Sequence, residues 1–504
     1  MNGKTRLLPV VVSTIIMTAL FHRQMAGLNL LLFELILLLY LGFSGQLKQQ
    51  TRLQQMLMAG FVVTGIFTIL IHSSLGYFVH YLLFFILTAT WVFPQLRSLT
   101  TAFLIAIVHF FKAQWLFLKT IVESQVENKR IGSYVSKAFI FIIPVAVILI
   151  FIVIYRNSNP VFDEWFGIAD NWINRVWEAV FKNFDELILF TLFVSLLFSN
   201  FILLRGTKTN LLQMDQLSLE TAQRNRKPGL FQFRNTALKS EYKAAIFLLG
   251  ALNLLLLLMN ISDVYLVWLN FEWEGQYLKQ FVHEGTYLLI FSILISIGIV
   301  LYFFRGNLNF YSKNRTIKKL SYIWLAQNAF LVVSVAIRNY WYIYYFALAY
   351  KRIGVLLFLL LTLYGLYTVY RKVSERKTAF YLFRTNFHMM LLVLTLASLI
   401  NWDTLIARYN FAHADRSFLH LDFLTELSDK TLPYLDKPLN ELIAIEKVQK
   451  QKFPFQDRYM HSEEYVEIIE DRKEAFKMKW EEKSWLEWNL AEYLAYKKLT
   501  KEVQ

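Results

Sequence analysis

The chain alternates long apolar runs with short polar breaks. Runs at Leu7–Phe21, Leu28–Phe43, Met56–Ile71, Tyr77–Phe93, Leu99–Leu118, Ala138–Tyr155 and Leu187–Leu204 precede a long polar stretch. Ala244–Trp268, Glu284–Phe304, Leu320–Arg338, Arg352–Tyr370 and His388–Ile400 follow it. Roughly 20 apolar residues in a helix cross about 30 Å of hydrocarbon, so these runs read as membrane spans. The first and last are short and need tilt or flanking residues to cross. The pattern predicts an all-α fold, a polytopic transmembrane helix bundle of 11–13 spans with a small helical soluble C-terminal domain. The expected divisions are 1–137, N-terminal transmembrane segments; 138–400, a core transmembrane domain; and 401–504, a soluble helical tail.

Two stretches outside the runs have helical periodicity. Near 160–184, Trp165, Ile168, Trp172, Val176, Val180 and Phe184 share one face. They describe an amphipathic helix, lying at the membrane interface or capping the bundle. In the tail, Asn440–Gln451 and Glu463–Glu482 read as helices. Ser484 with Glu487 reads as a capping box opening a last helix through Leu499. Trp480, Trp485, Trp488, Tyr493 and Tyr496 give that region an aromatic stripe for packing on the bundle or on a protein partner.

Composition supports the membrane reading. Of 504 residues, 56% are hydrophobic and 18% charged, outside the usual range for a soluble domain. The net charge of +15 is unevenly placed: residues 401–504 hold 16 Lys/Arg against 20 Asp/Glu. The excess of cations therefore lies in loops between apolar runs, which points to the positive-inside bias and to anionic lipid heads, not to nucleic acid. Arg205–Lys243, Arg305–Lys319 and Arg371–Arg384 are basic and are assigned to the cytoplasm, as is Lys119–Lys137. The tail then falls outside. The first five runs fit less well, because this count puts Lys4, Arg6, Lys48 and Arg52 outside. Absence of cysteine excludes disulfides and thiolate chemistry. No cleavage site follows the first run, which reads as an uncleaved segment.

Polar groups inside apolar runs carry the candidate chemistry, since each is costly in hydrocarbon. Glu34 stands within LLLFELILLLY; it suits a proton or cation relay, or a structural hydrogen bond to His80, His109 or Lys112. Gln327, Ser334 and Arg338 share one helix face, with Asn328 and Asn339 beside them. His283 and Glu284 open the preceding run at the level of Arg338, Lys351 and Arg352. The expectation is a Glu284–Arg338 pair that leaves Lys351 and Arg352 for lipid phosphate or a small anion. The alternative is an ion pair that only fixes helix register.

The blocks HEGTYLLIFSILISIGIVLYFFRGNLNFY and WLAQNAFLVVSVAIRNYWYIYYFALAYKRIGV, with SNPVF upstream and LDFLTELSDKTLPYL downstream, resemble a bacterial family of polytopic inner-membrane proteins. That family is known only as domain of unknown function four-one-seven-three, close to four-one-five-three. The resemblance implies a multi-pass protein of the bacterial cytoplasmic membrane; it implies no activity and no catalytic residue.

His413, Asp415, His420 and Asp422 have ligand types for a metal, but Asp422 also suits a helix N-cap. No Ser-His-Asp arrangement, phosphate loop or HExxH is present in the sequence, and no cofactor is expected. Three readings stay open: a transporter or permease for a small ion or anionic solute; a sensor, regulator or scaffold acting through the tail; and an enzyme on a lipid-linked substrate. The expected partners are membrane lipids, an anionic lipid or small anion, and a protein at the tail.

Overall fold

Leucine-rich runs without water around them satisfy their backbone groups internally, and the described apolar runs are accordingly helical. The computed structural model describes residues 3–45, 47, 50–123, 144, 148, 151–152, 154–181, 185–205, 210–224, 235–269, 275–454 and 460–501. The side chains of 3–6, 169, 173–174, 176–181, 235–237 and 275–286 are outside that description.

The membrane helices are α1 (Gly3–Phe21), α2 (Leu28–Phe43), α3 (Arg52–Ile71), α4 (Ser74–Val92), α5 (Leu99–Glu123), α7 (Glu186–Leu203), α9 (Asn235–Asp263), α10 (Gly275–Phe303), α11 (Arg315–Phe346), α12 (Tyr350–Glu375) and α13 (Ala379–Ser398). Between them lie α6 (Pro160–Phe181) and α8 (Asn210–Leu217). Eight helices among the described residues are long and apolar enough to cross a membrane, and Leu7–Phe21, Leu28–Phe43 and Tyr287–Phe303 are shorter apolar helices. This is an all-α, polytopic membrane protein. The expected span Ala138–Tyr155 falls largely outside the described residues.

The helices form two bundles. In the first, α1–α5 and α7 share a core around Leu41, Phe61, Ile86 and Phe201. In the second, α9–α13 share a core around Leu249, Ile293, Val335 and Val373. Helix α13 joins them, packing on α12 and also on α3, α4 and α5. The packing thus does not divide at residue 137, because α7 belongs with the first five helices.

Side-chain contacts fix which helix ends lie together. His22 and Asp185 are 3.0 Å apart, and Ser13 meets Ser199, so α1 and α7 are antiparallel. Gln54 donates to the Thr90 carbonyl, which makes α3 and α4 antiparallel. Asn253 donates to the Leu320 carbonyl and Trp341 to that of Val267, so α9 and α11 run parallel. One end of the molecule therefore gathers the start of α1, Arg52, Arg97, Arg305, Arg315, Arg376 and Arg384. This arrangement removes the difficulty with the first five runs for Lys4, Arg6 and Arg52, which belong to the same basic end as the other cationic loops; Lys48 lies outside the described residues. It also corrects the placing of Lys119–Lys137, since α5 carries Lys119 away from that end; residues 124–137 are outside the described set.

The opposite end holds the tail: α14 (Trp402–Ala412), α15 (Leu421–Thr425), α16 (Leu432–Leu435), α17 (Leu439–Lys452), α18 (Ser462–Glu481) and α19 (Leu490–Lys501). Its core, around Ile406, Leu424, Leu432 and Tyr465, continues into Leu348 and Ile353 at the start of α12. The expected capping box is not formed as read. Ser484 caps only a 3-10 turn at Trp485–Glu487, Glu487 reaches across to the Met25 amide at 2.7 Å, and Asn489 caps α19 instead. Helix α6 is present where periodicity placed it. Trp165, Ile168 and Trp172, the stripe residues whose side chains are described, are 66, 68 and 67% exposed, so this part of the stripe faces outward; Val176, Val180 and Phe184 lie outside that description.

Candidate functional site

Glu34 lies on α2 roughly 9 Å in from the tail end, at 1.5 Å per residue from Leu28. Of its three anticipated neighbours it meets His80: Glu34 Oε1 and His80 Nε2 are in hydrogen-bond contact. His109 instead contacts the Phe201 carbonyl, and Lys112 is exposed. His80 is fully buried, stacked on Phe61, with its Nδ1 3.0 Å from Thr64 Oγ1.

Thr64 Oγ1 also lies 2.8 Å from the Gly60 carbonyl and 3.1 Å from that of Phe61. If back-bonding takes its hydroxyl proton, His80 Nδ1–H donates to Thr64 Oγ1 and Nε2 faces Glu34. Gly65 makes room for the contact. A Cβ there would sit 3.0 Å from Glu34 Oε2 and 3.2 Å from His80 Cε1.

Glu34 also lines a cavity of about 820 Å³ between α1, α2, α4, α5 and α7. Its walls are mainly aromatic, including Phe33, Phe78, Tyr81, Phe110 and Phe198. On α4, Tyr81 and Tyr77 continue from His80 toward the tail, with ring centroids 5.8 Å and 6.3 Å apart in turn. Tyr77 Oη then contacts His72 Nδ1 at 2.9 Å.

Among the described residues, those expected near Arg338 have these partners. Gln327 donates to Asn253 Oδ1 at 2.8 Å, and Asn328 to its own helix at the Trp324 carbonyl. Arg338 is buried and its guanidinium pairs with Asp263, which also accepts from Ser334 at 2.6 Å. The side chains of His283 and Glu284 lie outside the described residues. Asp263 was missed, although an aspartate within an apolar run gives the same signal as Glu34. It ends α9 where the helix widens into a π turn, Val264–Leu269.

Arg352 does not stand free for an anion. It is buried, and its guanidinium donates to the carbonyls of Phe346 and Ala347, with the Tyr342 ring 4.3 Å away. Asn339 donates to the Arg352 carbonyl at 3.1 Å. These contacts close the α11–α12 corner, where Ala347 has φ 63°. Asn410 completes it from the tail, exchanging hydrogen bonds with the Leu348 backbone at 2.8 and 3.0 Å. Lys351 is exposed. The structure thus brings Asn339 and Arg352 together, sets Gln327 and Arg338 along the α9–α11 seam, and leaves Glu34 in the other bundle.

In the tail, His413 contacts the Tyr409 carbonyl and His420, not Asp422, precedes the first turn of α15. Glu446, His461 and Glu463 have ligand atoms within 4.8 Å of one another. Glu446 is already engaged by Lys450 at 2.6 Å and by the Ser462 amide and hydroxyl, so it serves as a helix cap.

A family model described as Domain of unknown function (DUF4153) matches residues 33–437, which include Glu34, His80, Asp263 and Arg338. The family number is thus 4153, where the sequence blocks suggested 4173. No curated protein and no solved structure matches the chain.

Proposed function

The chain belongs to the DUF4153 family, and we propose that it is a membrane permease exchanging a proton on the Glu34–His80 pair for a lipophilic organic cation. One observation carries this reading: a carboxylate hydrogen-bonded to an imidazole inside a membrane bundle lines an aromatic cavity of about 820 Å³. Net charge is disfavoured in hydrocarbon. With the cavity empty, a proton keeps the pair at net zero. With an aromatic cation bound, the proton leaves and the carboxylate balances the ligand, while the ring faces add cation–π attraction. A carboxylate in this position favours a cation over the anionic solute that Lys351 and Arg352 suggested. The membrane in this reading is the bacterial cytoplasmic membrane, with the basic end inside because cationic loops are retained there.

The test is equilibrium binding of tetraphenylphosphonium to the purified chain. Wild type is expected to bind more tightly as the pH rises. Glu34→Gln, close in shape, is expected to weaken binding at least about tenfold, the equivalent of 1.4 kcal/mol, and to remove the pH dependence. Equal binding by both proteins contradicts the reading.

The reading of the tail as an assembly surface keeps one observation in its favour. Trp485 and Met478, at 66 and 63%, are the most exposed of the large apolar side chains described in the tail. Binding of a protein partner there is tested by Trp485→Ser in a pull-down of defined components.

A further inference from the structure

A second cavity, of about 790 Å³, opens at the basic end between α10, α12 and α13. Its apolar wall includes Ile297, Leu301, Leu361, Phe383, Phe387 and Met390. From Leu361 to Lys372 along α12 the cavity extends roughly 16 Å, at 1.5 Å per residue. That is about half of a 30 Å hydrocarbon layer, the depth of one leaflet.

At the basic-end mouth the lining changes character, to Lys372, Arg305 and Thr378. Lys372 is buried, and its ammonium donates to the Lys377 carbonyl at 2.8 Å, using one of three N–H bonds. Among the described residues no carboxylate lies within ion-pair distance of it. Arg305 by contrast has Glu241 at 3.4 Å. The mouth is built and not frayed: Thr378 donates to the Leu219 carbonyl at 2.6 Å, and the Ala222 amide to that of Arg376 at 2.7 Å. Gly365 leaves the interior open, since a Cβ there meets nothing nearer than Asn386 Oδ1 at 3.8 Å.

We propose that this cleft holds one anionic phospholipid, its acyl chain against α12 and α13 and its phosphate at Lys372. A buried ammonium with no carboxylate in range among the described residues is stabilised by an anion. The leaflet-deep apolar cleft that ends on it gives that anion a hydrocarbon chain. The site is separate from the Glu34 cavity and does not depend on it.

Native mass spectrometry of the full chain from detergent, titrated with palmitoyl-oleoyl phosphatidylglycerol or phosphatidylcholine, reads the site. Wild type is expected to retain one phosphatidylglycerol with about fivefold preference, the factor given by roughly 1 kcal/mol per lysine at an anionic surface. Lys372→Met is expected to lose the preference, Lys372→Arg to keep it, and Gly365→Leu to exclude both lipids. Lys351→Met, at the other end, is expected to change nothing. Equal retention of both lipids by wild type, or an undiminished preference in Lys372→Met, overturns the proposal. So does displacement of phosphatidylglycerol by millimolar inorganic phosphate, which would mark a site for the free ion.

Discussion

Asp403 and Lys430 form an ion pair at 2.9 Å beneath the tail, and the same ammonium donates to the His72 carbonyl at 3.0 Å. Lys430 thereby ties α14 to the α3–α4 corner of the membrane domain. Tyr350 and Ser428 also donate to Asp403, so its carboxylate is well supplied with donors. The tail is docked on the membrane domain, and this pair is one of its ties.

Removing one partner of a buried pair leaves the other uncompensated, at a cost of about 3–5 kcal/mol. Lys430→Met is therefore expected to release the tail. Limited proteolysis between α13 and α14 reads this directly, as faster cleavage after Ser398 with the membrane domain still intact. Unchanged cleavage would show that the pair does not hold the dock.

Docking is expected to weaken in acid, in two stages. Burial holds His72 below its ordinary value of 6.5; Glu492 opposes this, and Lys483, Lys430 and Lys479 add to it. An undocked His72 takes up a proton at about pH 6.5 and the docked one does not, so stability starts to fall there as pH decreases. Asp403 is held low: burial raises it, but Lys430, Ser428 and Tyr350 outweigh burial. Glu492 is also low, as His72, Lys483 and Asn489 outweigh its burial. Depressed carboxylates stabilise above their ordinary values, and that contribution is lost as pH falls through the carboxylate range. Proteolysis against pH should show both stages in wild type and only the lower one in His72→Gln.

Gly27 approaches the tail too closely for a side chain. A Cβ there would lie 2.4 Å from the Glu487 carbonyl carbon, a backbone atom that cannot swing aside. Gly27→Ala is expected to loosen the tail much as Lys430→Met does. Gly42→Ala is the control, with nothing within 4 Å, and is expected to be neutral in the same assay.

The Asp263–Arg338 pair ties α9 to α11, with both side chains almost fully buried. Arg338→Met alone is expected to destabilise by about 3–5 kcal/mol. Adding Asp263→Asn should recover at least about 1 kcal/mol of that, a coupling typical of contacting residues. Strictly additive losses in thermal unfolding would mean the two are uncoupled.

Much of this architecture is legible in the sequence, because apolar run length and helical spacing are local properties. Leu439–Lys452 and Ser462–Glu481 fall within a residue of their sequence readings. Glu34 stood out for the same reason, a carboxylate with no polar neighbour along the chain. Partners are a different matter. Glu34 and His80 are 46 positions apart, Asp263 and Arg338 are 75, and Met25 and Glu487 are 462. Spacing within one helix has no bearing on such pairs; packing between helices decides them. Arg352 shows the converse error. A cation next to a helix start looked available for an anion, but the carbonyls freed by the turn at Ala347 claim its donors first.

Proton release on ligand binding tests the exchange at Glu34 most directly. The purified chain is mixed with saturating tetraphenylphosphonium in weakly buffered solution containing a pH indicator. Release of about one proton per cation bound is expected from wild type, because the ligand replaces the proton that keeps the Glu34–His80 pair neutral. None is expected from Glu34→Gln. Cation binding by wild type without proton release, or equal release from the variant, would contradict the exchange.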